Sequence, residues 1–375
     1  DKYFLKLENS KVENMDFSVE DKLFVENFIK KTKGVKSERT RKILEIQREW
    51  TEQLKKCDEV ELYIIKSTVI IAGTCTGFVS NRIIRDVEFD YVIVDEAAKA
   101  TFPELAVSLN KAHKIILVGD HQQLPPVLDT EIIRNNKEKL DEEGLAQGVF
   151  ERMYNMFPED NKHRLTIQYR MHPTIGTLIS HVFYNDEIQN GVEAQDRELC
   201  IEGYEGIAIE WISTSKYSTK ERYEKEFDNN GKKSYQNYLE RNIIERKLLE
   251  LDSKLVKRTK VAVITGYGSQ KYILQTMVKQ HSFKHIEVDV DTVDAFQGSQ
   301  KDIILYSTVR SSGNKYGIGF LKSEARINVA FSRARCLLII VGDMKFLDNY
   351  KIRGNKFPEI IKYITESEGC RIIEK

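Results

Sequence analysis

The sequence predicts an α/β fold with two parallel-sheet domains preceded by a charged helical arm. Two observations predict this class: short apolar runs without alternation recur along the chain, and helical stretches separate them. Continuous apolar strands are typical of parallel sheets that are buried on both faces. Their alternation with helices is typical of α/β domains. At 375 residues the chain is long enough for two domains.

The arm is predicted over residues 1–66. Residues 16–33 read as one charged helix that ends at Gly34, and a second, longer helix is predicted to start at Ser37 or Thr40. Apolar residues recur in the second helix at three- and four-residue steps, a narrow stripe between charged residues: Ile43, Ile46, Trp50, Leu54 and Cys57. Such a stripe packs against a single neighbour. We therefore expect a packing arm, which could also receive a protein partner.

The first α/β domain is predicted over residues 67–160, with strands at residues 69–72, 91–94 and 115–118. The apolar pattern pauses at residues 156–161, where we expect an interdomain hinge. The second domain is predicted over residues 161–375. Its strands are expected at residues 207–212, 261–264, 303–306 and 337–341. An amphipathic helix should carry Leu239, Ile243, Leu248, Leu251 and Leu255. The polar residues 214–237 predict a surface loop or a mobile insertion.

The overall charge excludes one class of protein. Lys plus Arg and Asp plus Glu both number 58, so the formal net charge is zero. A small module that binds nucleic acid through a global positive charge is excluded, whereas a locally basic groove is not. No apolar run approaches the ~18 residues of a membrane helix, no signal peptide is visible, and the five cysteines are scattered. We expect a monomer of the cytoplasm or nucleus, neither secreted nor membrane-bound.

Candidate chemistry lies where the apolar runs stop, because ligands of open parallel sheets bind beyond the carboxyl ends of the strands. Asp95 and Glu96 follow the second run. One carboxylate could hold the water shell of Mg²⁺ while the other polarises an attacking water. A helix N-cap is the alternative reading of this pair. The third run continues into a polar loop, residues 119–126, in which Gln123 can both donate and accept a hydrogen bond.

Five segments stand out in order along the chain: VDEAA at residues 94–98, VGDHQQLPP at residues 118–126, QYRMHP at residues 168–173, TVDAFQG at residues 292–298 and RINVAFSRAR at residues 326–335. In this order they resemble motifs II, III, IV, V and VI of superfamily 1 helicases. The branch they resemble includes the up-frameshift, senataxin and immunoglobulin-mu-binding helicases. The resemblance implies two RecA-like motor domains with ATP and Mg²⁺ between them.

The same resemblance implies roles for residues of the nucleotide site. Glu96, Gln123, Arg170 and Arg333 would be catalytic, and the two arginines would reach across the cleft to phosphates held by the first domain. Nucleotide contacts are implied for Asp95, Asp120, Gly298, Gln300 and Arg326, with Asp95 holding Mg²⁺ through water. A guanidinium that neutralises charge developing in phosphoryl transfer accelerates the reaction ~10³-fold or more. Arg326 and Arg333, seven residues apart on a predicted helix, should share one face.

Other matched positions imply contacts with single-stranded DNA or RNA. Thr74 and Thr76 lie in a GTCTG loop that resembles motif Ib, and Thr292 begins motif V. Thr265 and Tyr267 lie in a loop that resembles a Thr-Pro-Tyr sequence of the family, where Tyr267 could stack on a base, a contact worth ~1–3 kcal/mol. Ordinary strand-end turns remain the alternative for all five residues. The family implies movement in the 5′-to-3′ direction.

Three departures from the family pattern bear on function. Gln300 stands where this branch usually has Glu, and Gly266 stands where it prefers Pro. No Gly-x-x-x-x-Gly-Lys-Ser/Thr loop occurs in the 375 residues, although that loop holds the β- and γ-phosphates in P-loop NTPases. We therefore expect a partial first motor domain and a chain that is inactive alone. The alternative is a non-catalytic module that binds nucleic acid or protein, and a nuclease fusion elsewhere in the parent protein is a third reading.

Overall fold

The computed structural model describes residues 42, 45–50, 58–84, 87–126, 148–229, 232–296, 298–312 and 317–374. The chain divides into two units, Asp1–Phe89 and Asp90–Lys375. The domain boundaries expected at residues 66 and 160 stay predictions. Among the described helices, none is both long and apolar enough to cross a membrane.

Little of the predicted arm falls within the described residues. The helix expected over residues 16–33 lies outside them, as do Ile43, Leu54 and Cys57. Ile46 and Trp50 are helical, with exposed fractions of 55% and 66%. The first unit also contains two shorter helices, α1 (Asp58–Ser67) and α2 (Cys75–Ser80). The packing role of the arm stays a prediction.

The strand predicted at residues 69–72 is wrong. These residues form neither strand nor helix, and the side chains of Val69 and Ile70 are 98% and 80% exposed. An apolar run becomes a β-strand only where a neighbouring strand takes up its backbone hydrogen bonds. No described residue pairs with this segment as a strand.

The next two predicted strands are confirmed. β1 (Phe89–Val94) and β2 (Ala112–Leu117) form a two-stranded sheet, with helix α3 (Phe102–Leu109) between them in sequence. Their expected burial on both faces is wrong, since Ile93 is 65% and Ile116 is 46% exposed. A sheet of two strands has too few neighbours to cover both of its faces. The next described helix along the chain is α4 (Val149–Met156).

The larger part of the second unit is built on a six-stranded parallel sheet. Its strands are β5 (Ile209–Ser213), β8 (Thr259–Thr265), β9 (Ile286–Thr292), β10 (Lys301–Ser307), β11 (Ala334–Gly342) and β12 (Cys370–Glu374). They lie in the order β12-β5-β11-β10-β8-β9. The four predicted strands of this domain correspond to β5, β8, β10 and β11, and are confirmed. The two strands at the sheet edges, β9 and β12, were not predicted.

Helices cover both faces of this sheet. They are α5 (Pro173–Phe183), α7 (Tyr238–Lys254), α8 (Gly268–Lys279), α9 (Glu324–Phe331), α10 (Met344–Asn349) and α11 (Phe357–Glu366). Along β8 the side chains alternate between two cores: Ala262 and Ile264 pack with α5, α9 and α11, while Val261 and Val263 pack with α7 and α8. Burial on both faces explains why the strand reads as a continuous apolar run.

The surface loop predicted over residues 214–237 is wrong. This segment contains a short helix, α6 (Thr219–Arg222), and an antiparallel hairpin of β6 (Lys225–Asn229) and β7 (Lys232–Gln236). Thr214, Tyr235 and Asn237 are buried. Polar side chains of the segment form hydrogen bonds with one another and with residues at the ends of the large sheet, as Ser215 does with Asp343. Composition alone does not predict these contacts. A smaller parallel pair, β3 (Ile167–Gln168) and β4 (Gln189–Asn190), completes the described strands.

Candidate functional site

The ends of β1 and β2 bring two polar segments together. The backbone N–H of Ala97 donates to the carbonyl of Val118 at 2.8 Å, so Asp95 and Glu96 lie beside Gly119 and Asp120. A Cβ at Gly119 would lie 2.9 Å from the backbone nitrogen of Ala98, so only glycine fits this approach. Asp95 and Glu96 are both exposed. Two exposed carboxylates therefore stand at the carboxyl end of a strand.

The backbone at Glu96 favours a functional reading of this pair over the N-cap reading. Glu96 has φ 54°, in the left-handed region that non-glycine residues rarely adopt. It precedes a 3-10 turn, Ala97–Lys99, but its side chain makes no capping hydrogen bond. Asp95 Oδ1 accepts from the N–H of Glu96 at 2.9 Å. Unusual backbone conformations of this kind concentrate at functional sites.

Asp120 organises the polar loop after β2. Its Oδ1 accepts from the N–H of Gln122 at 3.0 Å, and its Oδ2 accepts from the side-chain amide of Gln123 at 2.8 Å. The amide oxygen of Gln123 thereby points towards Arg333, whose Nη2 donates to it at 3.2 Å. Motifs III and VI, 210 residues apart in sequence, are in direct contact.

Arg333 does not lie on the helix where we predicted it. Helix α9 ends at Phe331, and Arg333 occupies the turn before β11. Its Nε donates back to the carbonyl of Val329 at 3.1 Å, and the residue is 2% exposed. The expected shared helix face with Arg326 is therefore wrong, because the turn redirects the chain.

A second arginine lies close to Arg333. Arg170 Nη1 donates to the carbonyl of Ser332 at 3.3 Å. The pKa of Arg333 is lowered to about 10, first by burial and then by repulsion from Arg170, against attraction from Glu96, Tyr184 and Asp120. Two guanidinium groups that repel each other at one site are stabilised when an anion binds between them. Of the predicted site residues, Glu96, Asp120, Gln123, Arg170 and Arg333 are thus brought together.

Two residues of this site were missed by the sequence reasoning. The hydroxyl of Tyr184, just after α5, donates to Asp120 Oδ2 at 2.6 Å and accepts from Asn328 Nδ2 at 2.8 Å. The same Asn328 nitrogen donates to the carbonyl of Gln122 at 3.0 Å. Burial and the neighbouring Asp120 raise the pKa of the Tyr184 hydroxyl, so it stays a donor at neutral pH. A polar Asn328 among the apolar residues of α9 was the available signal.

The remaining predicted nucleotide contacts are not drawn into this cluster. Arg326 pairs with Asp294 at 3.4 Å, and its guanidinium lies 4.7 Å from the ring centroid of Phe320. Gly298 has φ 79° with open space around its Cβ position, and Gln300 is exposed. Roles for Gly298, Gln300 and Arg326 stay predictions.

The predicted nucleic-acid contacts separate into two groups. Thr74 and Thr76 are exposed, and Thr292 is partly exposed at the end of β9, so these three stay predictions. Thr265 and Tyr267 are 0% and 2% exposed. The Tyr267 ring packs between Tyr235 and Phe320, at 5.3 Å from each centroid, and burial raises its pKa to about 12. Direct contact of Thr265 or Tyr267 with nucleic acid is therefore contradicted, because neither side chain reaches the surface.

Comparison with known proteins places this chain in a family. Residues 145–345, more than half of the chain, match a family described as an AAA domain, and residues 6–131 match a second family with the same description. The order of motifs defines a superfamily 1 helicase. The chain belongs to the AAA-domain helicases of superfamily 1, in the up-frameshift branch.

Individual relatives agree with this assignment. A regulator of nonsense transcripts 1 homolog from Neurospora crassa is 35% identical over 301 residues, covering 78% of this chain and 26% of the relative. The Drosophila melanogaster homolog is 33% identical, covering 92% and 27%. An uncharacterised ATP-dependent helicase of Methanocaldococcus jannaschii is 29% identical, covering 91% and 48%. The chain thus spans about a quarter to a half of the length of these relatives.

Solved helicase structures are similar at a lower level. The crystal structure of an arterivirus nonstructural protein 10 (helicase) aligns with 69% of this chain and 40% of its own, at 14% identity and a TM-score of 0.33. The structure of a PRRSV helicase aligns with 67% and 34%, at 17% identity and a TM-score of 0.32.

Proposed function

We propose that this chain supplies motor elements of an ATP-dependent helicase or translocase that moves 5′ to 3′ along single-stranded nucleic acid. ATP would be hydrolysed in the cleft between the two α/β domains. The observation that carries the proposal is the hydrogen bond from Arg333 to Gln123, at 3.2 Å. It joins the strand-end loop after β2 to the turn before β11, the two places where a motor of this class needs its phosphate-sensing groups.

The charges at this site fit a nucleotide bound with Mg²⁺. Arg170 and Arg333 repel each other, so an anion between them relieves an unfavourable interaction. Asp95 and Glu96 are exposed at the strand end, and carboxylates are preferred ligands of Mg²⁺ or of its water shell. When bound at Asp95, Mg²⁺ neutralises charge on the phosphate oxygens. The residues present therefore fit the group that the family implies.

Each side chain has a role that follows from its position. Glu96 accepts a proton from the attacking water, and Gln123 orients that water through its amide. Arg170 and Arg333 neutralise the negative charge that develops on the transferred phosphoryl group. Arg333 is suited to this role because its Nε is fixed on the carbonyl of Val329. A guanidinium held in advance needs little reorganisation at the moment of reaction.

Tyr184 and Asn328 would act as positioning residues. Asn328 contacts both the carbonyl of Gln122 and the hydroxyl of Tyr184, and Tyr184 holds Asp120. These bonds fasten the loop that carries Gln123 to α5 and α9. A change at the phosphates is thereby passed to the second domain as a change in these contacts, which is how cleft closure can drive movement along a strand. Thr74, Thr76 and Thr292 are the proposed phosphate contacts on that strand.

Substitution of Glu96 by Gln tests the proposal in the full natural protein. Glu96→Gln should lower nucleic-acid-stimulated ATP hydrolysis by at least ~10²-fold, because the amide cannot accept the proton, while ATP binding persists. Asp90→Asn is the matched control: it removes an exposed carboxylate on β1, the strand that Glu96 follows, and should leave hydrolysis unchanged. Steady-state kinetics with single-stranded DNA and RNA, together with binding of fluorescent ATP, provide the readouts.

Two outcomes would contradict the proposal. Normal hydrolysis by the Glu96→Gln protein would remove Glu96 as the base. A natural protein that binds oligonucleotides but neither binds nor hydrolyses ATP would be a non-catalytic nucleic-acid-binding module instead.

A further inference from the structure

The ring of Phe320 is partly exposed, although both its backbone and its ring contact the buried Tyr267. It lies in a 3-10 turn, Gly319–Lys322, and is 43% exposed. Its backbone N–H donates to the hydroxyl of the buried Tyr267 at 3.4 Å. The ring also contacts Tyr267 at a centroid distance of 5.3 Å. A rigidly supported aromatic ring at the surface is a ready platform for stacking, because little side-chain freedom is lost when a flat ligand binds.

The backbone around Phe320 requires glycine at both Gly317 and Gly319. Their φ values are 56° and 57°, in the left-handed region. A Cβ at Gly317 would lie 2.7 Å from the Tyr350 hydroxyl, and a Cβ at Gly319 would collide with the Tyr267 hydroxyl. The turn that presents Phe320 is therefore specified by local backbone chemistry and is not a random surface loop.

Phe320 lines one side of an open cleft of about 740 Å³. The other lining residues come from β7 and from the start of α8: Lys233, Ser234, Gln236, Gly268, Ser269 and Tyr272. Tyr272 adds a second aromatic ring, 68% exposed. No carboxylate is among these described lining residues. Aromatic faces beside amide and hydroxyl groups, without negative charge, are the chemistry that recognises an unstacked nucleobase on a phosphate chain.

The position of the cleft fits the path proposed for the strand. β8 and β9 end side by side, with Thr265 paired in register to Thr292. The cleft begins at Gly268, three residues beyond the end of β8. Thr292, the proposed phosphate contact, is thus at the same edge of the sheet. The guanidinium of Arg326 also lies near the Phe320 ring, 4.7 Å from its centroid.

We infer that this cleft is a base-stacking subsite for single-stranded nucleic acid, with Phe320 and Tyr272 as the stacking residues. The inference rests on the proposed function and assigns the stacking that Tyr267 cannot provide to its exposed neighbour. Phe320 stacks on a base, and Tyr272 packs against the same or the adjacent base. The hydroxyl and amide groups of β7 and α8 face the base edges.

The test measures binding of the chain to a fluorescein-labelled oligodeoxythymidylate of roughly 20 nucleotides, longer than a typical single-strand site. Phe320→Ala and Tyr272→Ala should each weaken binding at least about fivefold. Phe157→Ala is the matched control, since Phe157 is also 43% exposed and lies outside the cleft; its affinity should equal that of wild type. A strand of equal length with abasic sugars should bind wild type more weakly and be insensitive to Phe320→Ala.

Phe320→Trp provides an independent readout should the alanine variant fold poorly. Binding of the oligodeoxythymidylate should quench the added tryptophan emission, measured against wild type with its own Trp50 and Trp211, and the abasic strand should not. If wild type binds but Phe320→Ala binds equally and Phe320→Trp is not quenched, the cleft is no stacking site and the proposed function stands. If wild type binds no oligonucleotide, the nucleic-acid part of the proposed function fails, and the cleft assignment with it.

Discussion

Asp120 is the residue at which the contacts of the candidate site converge. One of its carboxylate oxygens accepts from Gln123 and from Tyr184, at 2.8 and 2.6 Å. Through Gln123 it is joined to Arg333, and through Tyr184 to Asn328. Hydrogen bonds to a charged group are about twice as strong as those between neutral groups. The geometry of the loop therefore depends on Tyr184, which lies outside the motifs recognised in the sequence, and on Asn328, which lies within motif VI but was given no role there.

Tyr184→Phe should show whether Tyr184 affects the rate of ATP hydrolysis without affecting the binding of ATP. Loss of the hydroxyl leaves Asp120 one donor short and Asn328 one acceptor short, a cost of about 1.5–3 kcal/mol. We expect nucleic-acid-stimulated ATP hydrolysis by the full natural protein to fall roughly tenfold in kcat, with the KM for ATP little changed. Tyr363→Phe is the matched control, because its hydroxyl is also hydrogen-bonded, to the carbonyl of Thr174 at 3.1 Å, away from the site. An equal loss in both variants would point to a general structural effect.

At the residue scale, the sequence predicted the members of the site better than their surroundings. Asp95, Glu96 and Gln123 could be chosen because they follow apolar strands. Tyr184 could not, since an aromatic residue after an apolar helix normally reads as core. Tyr267 was misassigned for a related reason: its position in the motif is visible in the sequence, but its burial under Phe320 depends on a turn some fifty residues away.

At the element scale, the start of α7 stabilises the end of β10. Glu240, in the first turn of α7, is fully buried and accepts from the Ser307 hydroxyl at 2.6 Å and the N–H of Val309 at 2.9 Å. Val309 has φ 68°, a strained conformation for a β-branched residue. Burial raises the pKa of Glu240 to about 8, although these hydrogen bonds oppose the shift. The carboxyl group is thus predicted to be largely protonated at neutral pH.

This pKa predicts a pH dependence of stability. The folded chain binds the Glu240 proton more tightly than the unfolded chain, so the stabilisation is complete below pH 4.5, the ordinary value, and is lost as pH rises through about 8. The free energy of unfolding should fall by on the order of a few kcal/mol between these limits. Glu240→Gln keeps the neutral form at every pH and should flatten this slope in urea titrations at several pH values.

Glu359→Gln is the control for that series, because Glu359 is 51% exposed and pairs with the neighbouring Lys356. It should keep the wild-type slope. If wild type and Glu240→Gln lose stability equally between pH 5 and pH 8.5, Glu240 is ionised in the folded chain and the assignment is wrong.

Strands were predictable where burial is uniform and not where it is one-sided. β5, β8, β10 and β11 are covered on both faces, and each appeared as an apolar run. β9 is an edge strand with the sequence IEVDVDT, in which acidic residues alternate with apolar ones. The hairpin of β6 and β7 was missed because its polar side chains are satisfied by distant groups; Ser269 N, for example, donates to Ser234 at 3.1 Å. Its burial depends on tertiary contacts, not on local composition.

In the molecule as a whole, the motifs II, III, IV and VI come together at the candidate site. Motifs II and III end two neighbouring strands, and motifs IV and VI approach them from α5 and the turn before β11. The contact between Gln123 and Arg333 spans 210 positions of sequence, a distance that no local pattern predicts. The family resemblance predicted that Gln123 and Arg333 would lie at one site. The loop after β2 and the turn before β11 bring their side chains within 3.2 Å of each other.

Two arginines that lie two residues apart provide a direct test of ATP hydrolysis at this cluster. Arg333→Ala in the full natural protein should lower the kcat of nucleic-acid-stimulated ATP hydrolysis by about 10³-fold or more, with ATP still bound. Arg335→Ala removes an equal charge that pairs instead with Asp302 at 3.1 Å, and should change kcat less than about threefold. Equal rates for wild type and Arg333→Ala would contradict the assignment of this cluster as the site of ATP hydrolysis.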